Sequence, residues 1–272
     1  MKYSVLMPVY INDDSKSIEE AINSVFKQTT IPNEFVIICD GKVLMDVAKV
    51  INKYKKKYPN IIRILKKKHS GLGLTLRIGI KKCNNELIAR IDADDIWDSL
   101  KVEKQLKYLE EHKDVSMLGT NVFEFFEDKS NIVSLVSLPS DYEEILKYSK
   151  YRNPFRHSSL IYKKSDVLKC GNYRDYPYFE DYDLWLRMII NGCKCLNINE
   201  PLTYMRINED FYKRRGGVKY CKHMITFRKE YYKKGYFNFK SYYFTIIFHS
   251  IVCLSPNFIR KIIYQRMLRK KV

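Results

Sequence analysis

Short apolar runs alternate with helical periodicity along the first hundred residues. Ser4 to Val9 is a continuous apolar run, the pattern of a strand buried on both faces of a parallel sheet. Similar runs lie at 35–39, 61–65 and 87–91, and a stretch with apolar residues three or four positions apart follows each of the four. This alternation predicts a doubly wound α/β sheet, whose ligands lie beyond the carboxyl ends of the strands.

The pattern changes after residue 112. Long apolar runs at 115–126 and 132–136 predict two more strands, and 181–190 predicts a helix that ends at Asn191 and Gly192. Near the start of the chain, Ser17 followed by Glu20 has the spacing of a capping box, so we expect the first helix to begin there.

Charge is distributed unevenly. The 272-residue chain has a formal net charge of +18, and residues 213–272 hold 16 basic residues and one acidic residue, Glu230. The remaining 212 residues are close to neutral, with a net charge of +3. The distribution predicts a nearly neutral body that carries a basic attachment surface.

Cysteine usage and hydropathy bear on the compartment. The seven cysteines are odd in number and include no Cys-x-x-Cys pair, so we expect neither a disulfide framework nor a zinc site. The first strand begins at once, without the pattern of a secretory signal. The longest apolar run, 242–254, is shorter than the roughly 20 residues of a membrane-spanning helix. A cytoplasmic protein is the expectation.

Acidic side chains follow two of the predicted strands. The second strand ends in Asp40-Gly41, and the fourth in Asp92-Ala93-Asp94-Asp95. Neighbouring carboxylates repel one another unless a cation lies between them. A divalent cation held by one or two carboxylates and the oxygens of a diphosphate ligand meets that requirement, whereas an acidic loop that caps the next helix is the alternative.

The order of these motifs resembles that of family 2 glycosyltransferases, which have the GT-A fold and use nucleotide-diphosphate sugars. The matching elements are Ser4-Val5-Leu6-Met7-Pro8-Val9-Tyr10, Ala21-Ile22-Asn23-Ser24-Val25, Asp40-Gly41, Gly71-Leu72-Gly73, Asp92-Ala93-Asp94-Asp95 and Glu180-Asp181. Within the family, the sequence looks most like bacterial enzymes that assemble capsular, exopolysaccharide or O-antigen repeat units.

The resemblance implies a role for each matching position in donor binding. Pro8 and Tyr10 would line the pocket for the base and ribose, although strand termination and an aromatic core position are the alternatives. Asp40 would hydrogen-bond a uracil-like base edge, unless it only forms the Asp-Gly turn. Asp92 would lie near the ribose or the metal, and Asp94 would coordinate Mn²⁺ or Mg²⁺.

Two further positions follow from the same resemblance. Arg77 stands where the family usually has Asn, so it either reaches a phosphate or is a surface arginine. Asp181 would be the catalytic base, with helix capping as the alternative. The helix dipole would lower its pKa and burial beside aromatic residues would raise it. The mechanism requires Asp94 and Asp181 to open onto one cavity.

The implied enzyme has a GT-A catalytic domain at 1–212, with a nucleotide-sugar half at about 1–115 and an acceptor half at about 116–212. It would move a sugar from a UDP-sugar, with inversion, to a saccharide linked to a polyprenyl diphosphate. Residues 213–272 would form a basic, aromatic helical tail on an anionic membrane surface, at the inner face of the cell membrane, or else packing helices. The basic segment 206–217 is either a lid or a solvated hinge.

Three other classes compete with this interpretation. The high positive charge suits a nucleic-acid-binding protein, but the acidic strand ends would face the phosphate backbone, so no nucleic-acid partner is expected. A sugar-nucleotide nucleotidyltransferase would need a Gly-rich basic loop after the first strand, where residues 10–14 read Tyr-Ile-Asn-Asp-Asp. An inactive nucleotide-sugar binder would have no need of both Asp94 and Asp181.

Overall fold

Strands from both halves of the chain form one sheet. The computed structural model describes residues 1–208 and 210–267. The strands within these ranges are β1 Tyr3–Val9, β2 Glu34–Asp40, β3 Ile62–Lys67, β4 Leu87–Arg90, β5 Ile96–Trp97, β6 Val115–Phe126, β7 Ile132–Val136, β8 Ile161–Lys163 and β9 Lys194–Ile207.

Helices cover the sheet and continue past its last strand. Those within the described residues are α1 Ser15–Phe26, α2 Met45–Lys57, α3 Leu72–Lys82, α4 Lys101–Glu111, α5 Tyr142–Ser149, α6 Lys164–Lys169, α7 Glu180–Ile190, α8 Asp210–Lys213, α9 Gly217–Lys233, α10 Phe239–Leu254 and α11 Asn257–Met267. We call α9, α10 and α11 the helical extension.

The sheet is mixed and mostly parallel, as predicted. Its strand order is β3-β2-β1-β4-β8-β6-β9-β5, and β7 pairs with β6. The four strands of the first half run parallel to one another, and β6 and β9 point the same way. The short strands β5, β7 and β8 run in the opposite direction. All seven positions of β1 and of β2 are buried, which explains their continuous apolar pattern.

A close approach between a helix and the sheet sets the position of α3. A Cβ atom added at Gly79 would lie 2.6 Å from Cδ1 of Leu6, so only glycine allows this spacing without a shift. The N-terminus of α3 is thereby held next to the carboxyl ends of β1 and β2.

The predicted start of α1 is wrong by two residues. Asp14 is the N-cap, and its carboxylate accepts a hydrogen bond of 2.9 Å from the backbone N–H of Ser17. Ser17 is a buried residue inside the helix, so the Ser17–Glu20 pair is no capping box. An aspartate at the N-cap satisfies the same free N–H groups, and the spacing of the apolar residues does not distinguish the two candidates.

The first helix of the extension packs against the body formed by the sheet and its flanking helices. Phe227 is fully buried among the side chains of Phe179, Tyr182 and Tyr231. The hydroxyl of Tyr231 donates a 2.8 Å hydrogen bond to the buried carboxylate of Asp183 in α7. Within the described residues, the basic side chains of α9 therefore lie on a helix that a small core joins to the body.

The next helix leaves an apolar face exposed. Phe244, Ile247, Ile251 and Leu254 are 57–63% exposed and lie on one side of α10, and we call them the α10 ridge. The opposite side is packed against α9 through buried Cys253 and its neighbours. Within residues 1–208 and 210–267, no helix has the length and apolar content needed to cross a bilayer.

The packing of α9 predicts a large effect of one core truncation. We expect Phe227→Ala to lower the free energy of unfolding by about 3–5 kcal/mol, because it removes a fully buried ring and leaves a cavity. Phe239→Ala, at a phenylalanine that is 66% exposed, is the matched control and should change it by less than about 0.5 kcal/mol. Urea unfolding measures both, and equal effects would contradict the packing described here.

Candidate active site

The carboxyl ends of β1, β2 and β4 open onto one cleft of about 650 Å³. Five of the residues predicted to bind the donor or its metal line this cleft: Pro8, Tyr10, Asp40, Asp92 and Asp94. Their convergence follows from the topology, because parallel strands bring their carboxyl ends to the same edge of the sheet.

A buried arginine forms an ion pair with the acidic segment that follows β4. The side chain of Arg90 is fully buried, and its guanidinium forms an ion pair with the carboxylate of Asp92. The backbone N–H of Asp92 donates a 3.1 Å hydrogen bond to Oγ of Ser158. These contacts fix the segment at the point where β4 leaves the sheet.

A second arginine, Arg206 near the end of β9, holds the same acidic segment. Nε of Arg206 donates a 3.1 Å hydrogen bond to the carbonyl of Asp94, and its backbone N–H donates one of 2.9 Å to the carboxylate of Asp95. Its guanidinium also forms an ion pair with Glu20. Asp95 is accordingly a buried structural residue, and Arg206 positions the acidic segment.

Burial, and secondarily the neighbouring carboxylates, raise the pKa of two acidic groups in the cleft. Burial, with the charge of Asp92 as the next cause, raises the pKa of Asp94 to about 6. Burial raises the pKa of Asp13 to about 7, against the hydrogen bond from the backbone of Tyr10. Asp13 was missed by the sequence interpretation, although it belongs to the acidic loop directly after β1.

The carboxylates of the cleft suit a cation that is also coordinated by the phosphate oxygens of a bound diphosphate. Among the described residues there is no group of three or more His, Cys, Asp or Glu arranged to hold a metal ion. Asp92 and Asp94 can supply one or two oxygen ligands, which is what Mg²⁺ takes from proteins when phosphate oxygens and water complete its shell.

The contacts of Asp40 point to a role in positioning a turn. Its carboxylate, in a side chain only 6% exposed, forms an ion pair with Lys67, lies 3.0 Å from Nδ1 of His69 and accepts hydrogen bonds of 2.9 Å from the backbone N–H groups of Ser70 and Gly71. Four contacts use the acceptor capacity of a carboxylate. These contacts hold its pKa below the usual value despite burial.

The Gly-rich turn that Asp40 holds joins the two halves of the protein. Gly71 is the N-cap of α3 and has a φ of +87°, which favours glycine. A Cβ atom at Gly73 would lie 2.4 Å from the carbonyl oxygen of Arg174, so this glycine lets α3 approach the segment that precedes α7.

Pro8 in β1 and Tyr10 directly after it line the cleft, whereas Arg77 does not. Tyr10 is 39% exposed in the cleft, so the alternative of an aromatic core position is wrong. Pro8 pairs with Ile38 inside the strand and does not terminate it. Arg77 is an exposed residue of α3 that is absent from the lining of the cleft, so its predicted phosphate contact has no support in this geometry. The described cationic residues that do line it include Arg206, Arg214 and Arg215.

Glu180 and Asp181 begin α7 and face different cavities. Glu180 lines the cleft at the strand ends, while Asp181 lines a second cavity of about 210 Å³. The expectation that Asp94 and Asp181 open onto one cavity is therefore wrong for this state. The two cavities share a wall, made of Tyr178, Phe211, Arg215 and Tyr220.

Asp181 is held by its own helix and by a neighbouring loop. Its carboxylate accepts hydrogen bonds of 2.9 Å from Nδ2 of Asn153 and 2.6 Å from the backbone N–H of Tyr182. The N-cap of α7 is Phe179, so Asp181 is not the helix cap. Burial raises the pKa of Asp181 in spite of these hydrogen bonds, which decides the opposition between burial and helix dipole in favour of burial.

The backbone has an unusual conformation two residues before this pair. Tyr178 has a φ of +68°, a left-handed conformation that is rare for aromatic residues. Its ring is 45% exposed and stacks edge-on against Tyr220 at 5.2 Å between centroids. Strain of this kind persists where the surrounding structure requires it, and here it lies in the wall between the cavities.

The sheet and its acidic cleft are those of an α/β protein that binds a ligand where parallel strands end. Residues 4–171 match the family described as "Glycosyl transferase family 2". The chain therefore belongs to glycosyltransferase family 2, and the resemblance seen in its motifs is confirmed. This membership excludes the nucleic-acid-binding and nucleotidyltransferase alternatives as the main function.

Relatives extend the similarity over the whole chain. The "UDP-Gal:alpha-D-GlcNAc-diphosphoundecaprenol beta-1,3-galactosyltransferase" of Escherichia coli is 36% identical, over 99% of this chain and 97% of that protein. The "Amylovoran biosynthesis glycosyltransferase AmsE" of Erwinia amylovora is 32% identical, over 81% of this chain and 82% of that one.

A solved structure supports the fold. The mannosyltransferase PcManGT from Pyrobaculum calidifontis, in complex with GDP-Man and Mn²⁺, superposes with a TM-score of 0.65 at 12% identity, over 92% of this chain and 69% of that one. The predicted GT-A fold is confirmed, and the protein is a glycosyltransferase related to bacterial enzymes.

The environment of Glu180 predicts a pH-dependent stability. Burial, and then the charge of Asp181, raise the pKa of Glu180 from 4.5 to about 8. Between these values the unfolded chain has lost a proton that the folded protein keeps, so stability falls as pH rises and the loss is complete above pH 8. Glu180→Gln cannot titrate at this position. The difference in the free energy of unfolding, variant minus wild type, should therefore be larger at pH 8.5 than at pH 4 by at least about 1.4 kcal/mol, the equivalent of one pKa unit.

Urea unfolding at the two pH values measures this difference. The exposed Glu103, in the first turn of α4, provides the control variant Glu103→Gln, which should follow the wild-type profile. Parallel profiles for wild type and Glu180→Gln would contradict the assignment of the raised pKa to Glu180.

Proposed function

We propose that the protein is an inverting glycosyltransferase that moves a sugar from a UDP-sugar to a hydroxyl group of a saccharide linked through diphosphate to a polyprenyl lipid. The observation that carries this proposal is the convergence of Tyr10, Asp92 and Asp94 in one cleft of a family member. The relative from Escherichia coli supports it, since its name gives UDP-Gal as donor and a diphosphoundecaprenol-linked sugar as acceptor.

The donor would lie along the carboxyl ends of β1, β2 and β4. Pro8 and the exposed ring of Tyr10 would contact the base and ribose, and Asp92 would lie close to the ribose. Asp40 would act on the base through the turn that it holds, because its carboxylate is already occupied by protein donors. The exposed His69 of that turn also lines the cleft.

A divalent cation, Mn²⁺ or Mg²⁺, would be held by Asp94 with Asp92 in reach. When bound, it would supply positive charge that stabilises the departing nucleoside diphosphate, by several kcal/mol. Arg206 holds the backbone carbonyl of Asp94 and Arg90 pairs with the carboxylate of Asp92, so the protein positions both residues before a donor binds.

Asp181 would be the general base. It would take the proton of the acceptor hydroxyl as that oxygen forms a bond to the anomeric carbon, and the bond from this carbon to the diphosphate would break on the opposite face. The products are the inverted glycoside, UDP and protonated Asp181. Asp181 faces the second cavity, so the acceptor would enter from that side and the donor from the other. The mechanism then requires the shared wall of Tyr178, Phe211, Arg215 and Tyr220 to open, so that the two cavities join.

The proposal predicts distinct effects of the two neighbouring carboxyl groups. With UDP-sugars, Mn²⁺ and a diphosphate-linked acceptor, we expect Asp181→Asn to lower kcat by about 10³-fold, within the range attributed to general bases. UDP binding should stay within about twofold, because Asp181 lies outside the donor cleft. Glu180→Gln is the matched variant, and it should retain more transfer activity than Asp181→Asn.

Release of UDP and formation of the glycoside measure turnover, and calorimetric titration measures UDP binding. Near-normal turnover of Asp181→Asn would remove it from the role of base. A larger loss in Glu180→Gln would transfer that role to Glu180, which already faces the donor.

The helical extension would attach the enzyme to an anionic membrane surface, at the inner face of the cell membrane. The α10 ridge is exposed and apolar, and the exposed Lys240 and Lys261 lie on α10 and on the next helix. An apolar face bordered by basic residues is typical of helices that lie in a bilayer interface, where each nearby basic residue adds about 1 kcal/mol. A lipid-linked acceptor would be presented at that same surface.

Charges placed in the α10 ridge should release the protein from membranes. We expect Ile247→Asp with Ile251→Asp to weaken binding to vesicles that contain phosphatidylglycerol by at least about tenfold, because each buried isoleucine contributes about 1.5–3 kcal/mol. Ile31→Asp, at an isoleucine that is 45% exposed between α1 and β2, is the control. Vesicle sedimentation measures the binding, and unchanged sedimentation of the double variant would contradict this attachment.

A further inference from the structure

The second cavity is lined by an unusual number of arginines. It lies between the start of α7, the helical extension and the loop at 152–156. Its cationic residues are Arg152, Arg156, Arg215 and Arg228. Among its described lining residues, Asp181 is the one carboxylate. The cavity is therefore electropositive, whereas the neighbouring donor cleft is acidic.

The four arginines differ in how much of their bonding capacity the protein uses. Arg228 is buried and donates to the carbonyls of Lys150 and Tyr151, so it holds the loop. Arg215 donates a 2.8 Å hydrogen bond to the carbonyl of Phe211. Arg152 is half-buried, its guanidinium lies 5.6 Å from the ring centroid of Tyr148, and it forms no ion pair with any residue in the described ranges. Arg152 thus has donors to offer a ligand.

The positive charge of the cavity affects a histidine in its lining. Burial, followed by the charges of Arg228 and Arg152, lowers the pKa of His249 to about 3, so this histidine stays neutral. Arginines in a partly enclosed site interact strongly with phosphates, because the planar guanidinium forms two parallel hydrogen bonds with them. A ligand with phosphate oxygens would satisfy the unused donors of Arg152 and offset the charge.

The position of the cavity distinguishes one diphosphate from another. The donor diphosphate belongs in the neighbouring cleft, beside Asp92 and Asp94. The second cavity contains Asp181 at the shared wall, and α10 lines it with Phe248, His249 and Val252. The same helix exposes the α10 ridge on its other side. A ligand that fits has phosphates near the membrane-facing helix and a hydroxyl group near Asp181.

We propose that the second cavity binds the diphosphate that joins the acceptor sugar to its lipid, and this inference rests on the proposed function. Arg152 and Arg156 contact the phosphates, and Arg215, in the shared wall, lies between this diphosphate and that of the donor. The acceptor sugar then lies against Tyr178 and Tyr220, with its hydroxyl at Asp181. Acceptor selection thus depends on the charged linker as well as on the sugar.

Two acceptors with the same sugar test this assignment: one linked through diphosphate to a short water-soluble alkyl chain, the other through an uncharged ether. No vesicles are present, so membrane attachment does not contribute. We expect Arg152→Gln to raise KM for the diphosphate acceptor about tenfold, with kcat, KM for the ether acceptor and Kd for UDP within twofold. Arg152→Lys should recover part of the loss, because it restores the charge but not the planar fork.

Lys229→Gln removes one positive charge from an exposed position of α9 and is the charge-matched control, which should behave as the wild type. An equal effect of Arg152→Gln on both acceptors, or on neither, would overturn the inference while leaving the proposed function intact. A weaker Kd for UDP with unchanged acceptor kinetics would also overturn it, because the arginine would then serve the donor. The wild type is measured first, and its failure to use any UDP-sugar would contradict the proposed function itself.

Discussion

The arrangement of carboxylates around the cleft depends on the fully buried guanidinium of Arg90. It forms an ion pair with Asp92 at the end of β4, and its charge lowers the proton affinities of Asp94, Glu180 and Asp181. Without a cation at this point, carboxylates from both halves of the protein would repel one another in a medium of low dielectric constant. The acidic segment and the start of α7 can lie close together because the charge of Arg90 acts on both.

The other constraint on the site is the wall between the two cavities. Tyr178, two residues before Glu180, is held in a left-handed conformation, and its ring contacts Tyr220 of the extension. The wall thus combines a strained segment of the body with the first helix after it. This explains why Glu180 and Asp181, although adjacent in sequence, face cavities of opposite charge. It also gives the helical extension a part in shaping the acceptor side, beyond any role at a membrane.

The helices α9 and α10 of the extension each have two different faces. Phe227 and Tyr231 join α9 to the core around α7, so the helix is as firmly placed as the body. On α10, buried Thr245, Val252 and Cys253 face inward while the α10 ridge faces solvent. A rigid connection between a membrane-facing ridge and the acceptor cavity would hold a lipid-linked substrate at a fixed distance from the donor.

Local patterns in the sequence were sufficient for the six strands β1 to β4, β6 and β7, for the helices α1 to α4 and α7, and for the acidic strand ends. Burial on both faces of a strand leaves a continuous apolar run, and parallel strands must bring Asp40 and Asp92 to one edge. The tertiary structure alone decided what depends on distant contacts. Arg206 lies 112 residues from the carbonyl of Asp94 that it holds, and no spacing indicates such a pair. The short strands β5 and β8, the exposure of Arg77 and the separation of Glu180 from Asp181 likewise depend on packing between segments. Secondary structure follows from periodicity within a few residues, but the direction in which a side chain points into a cavity depends on every element packed around it.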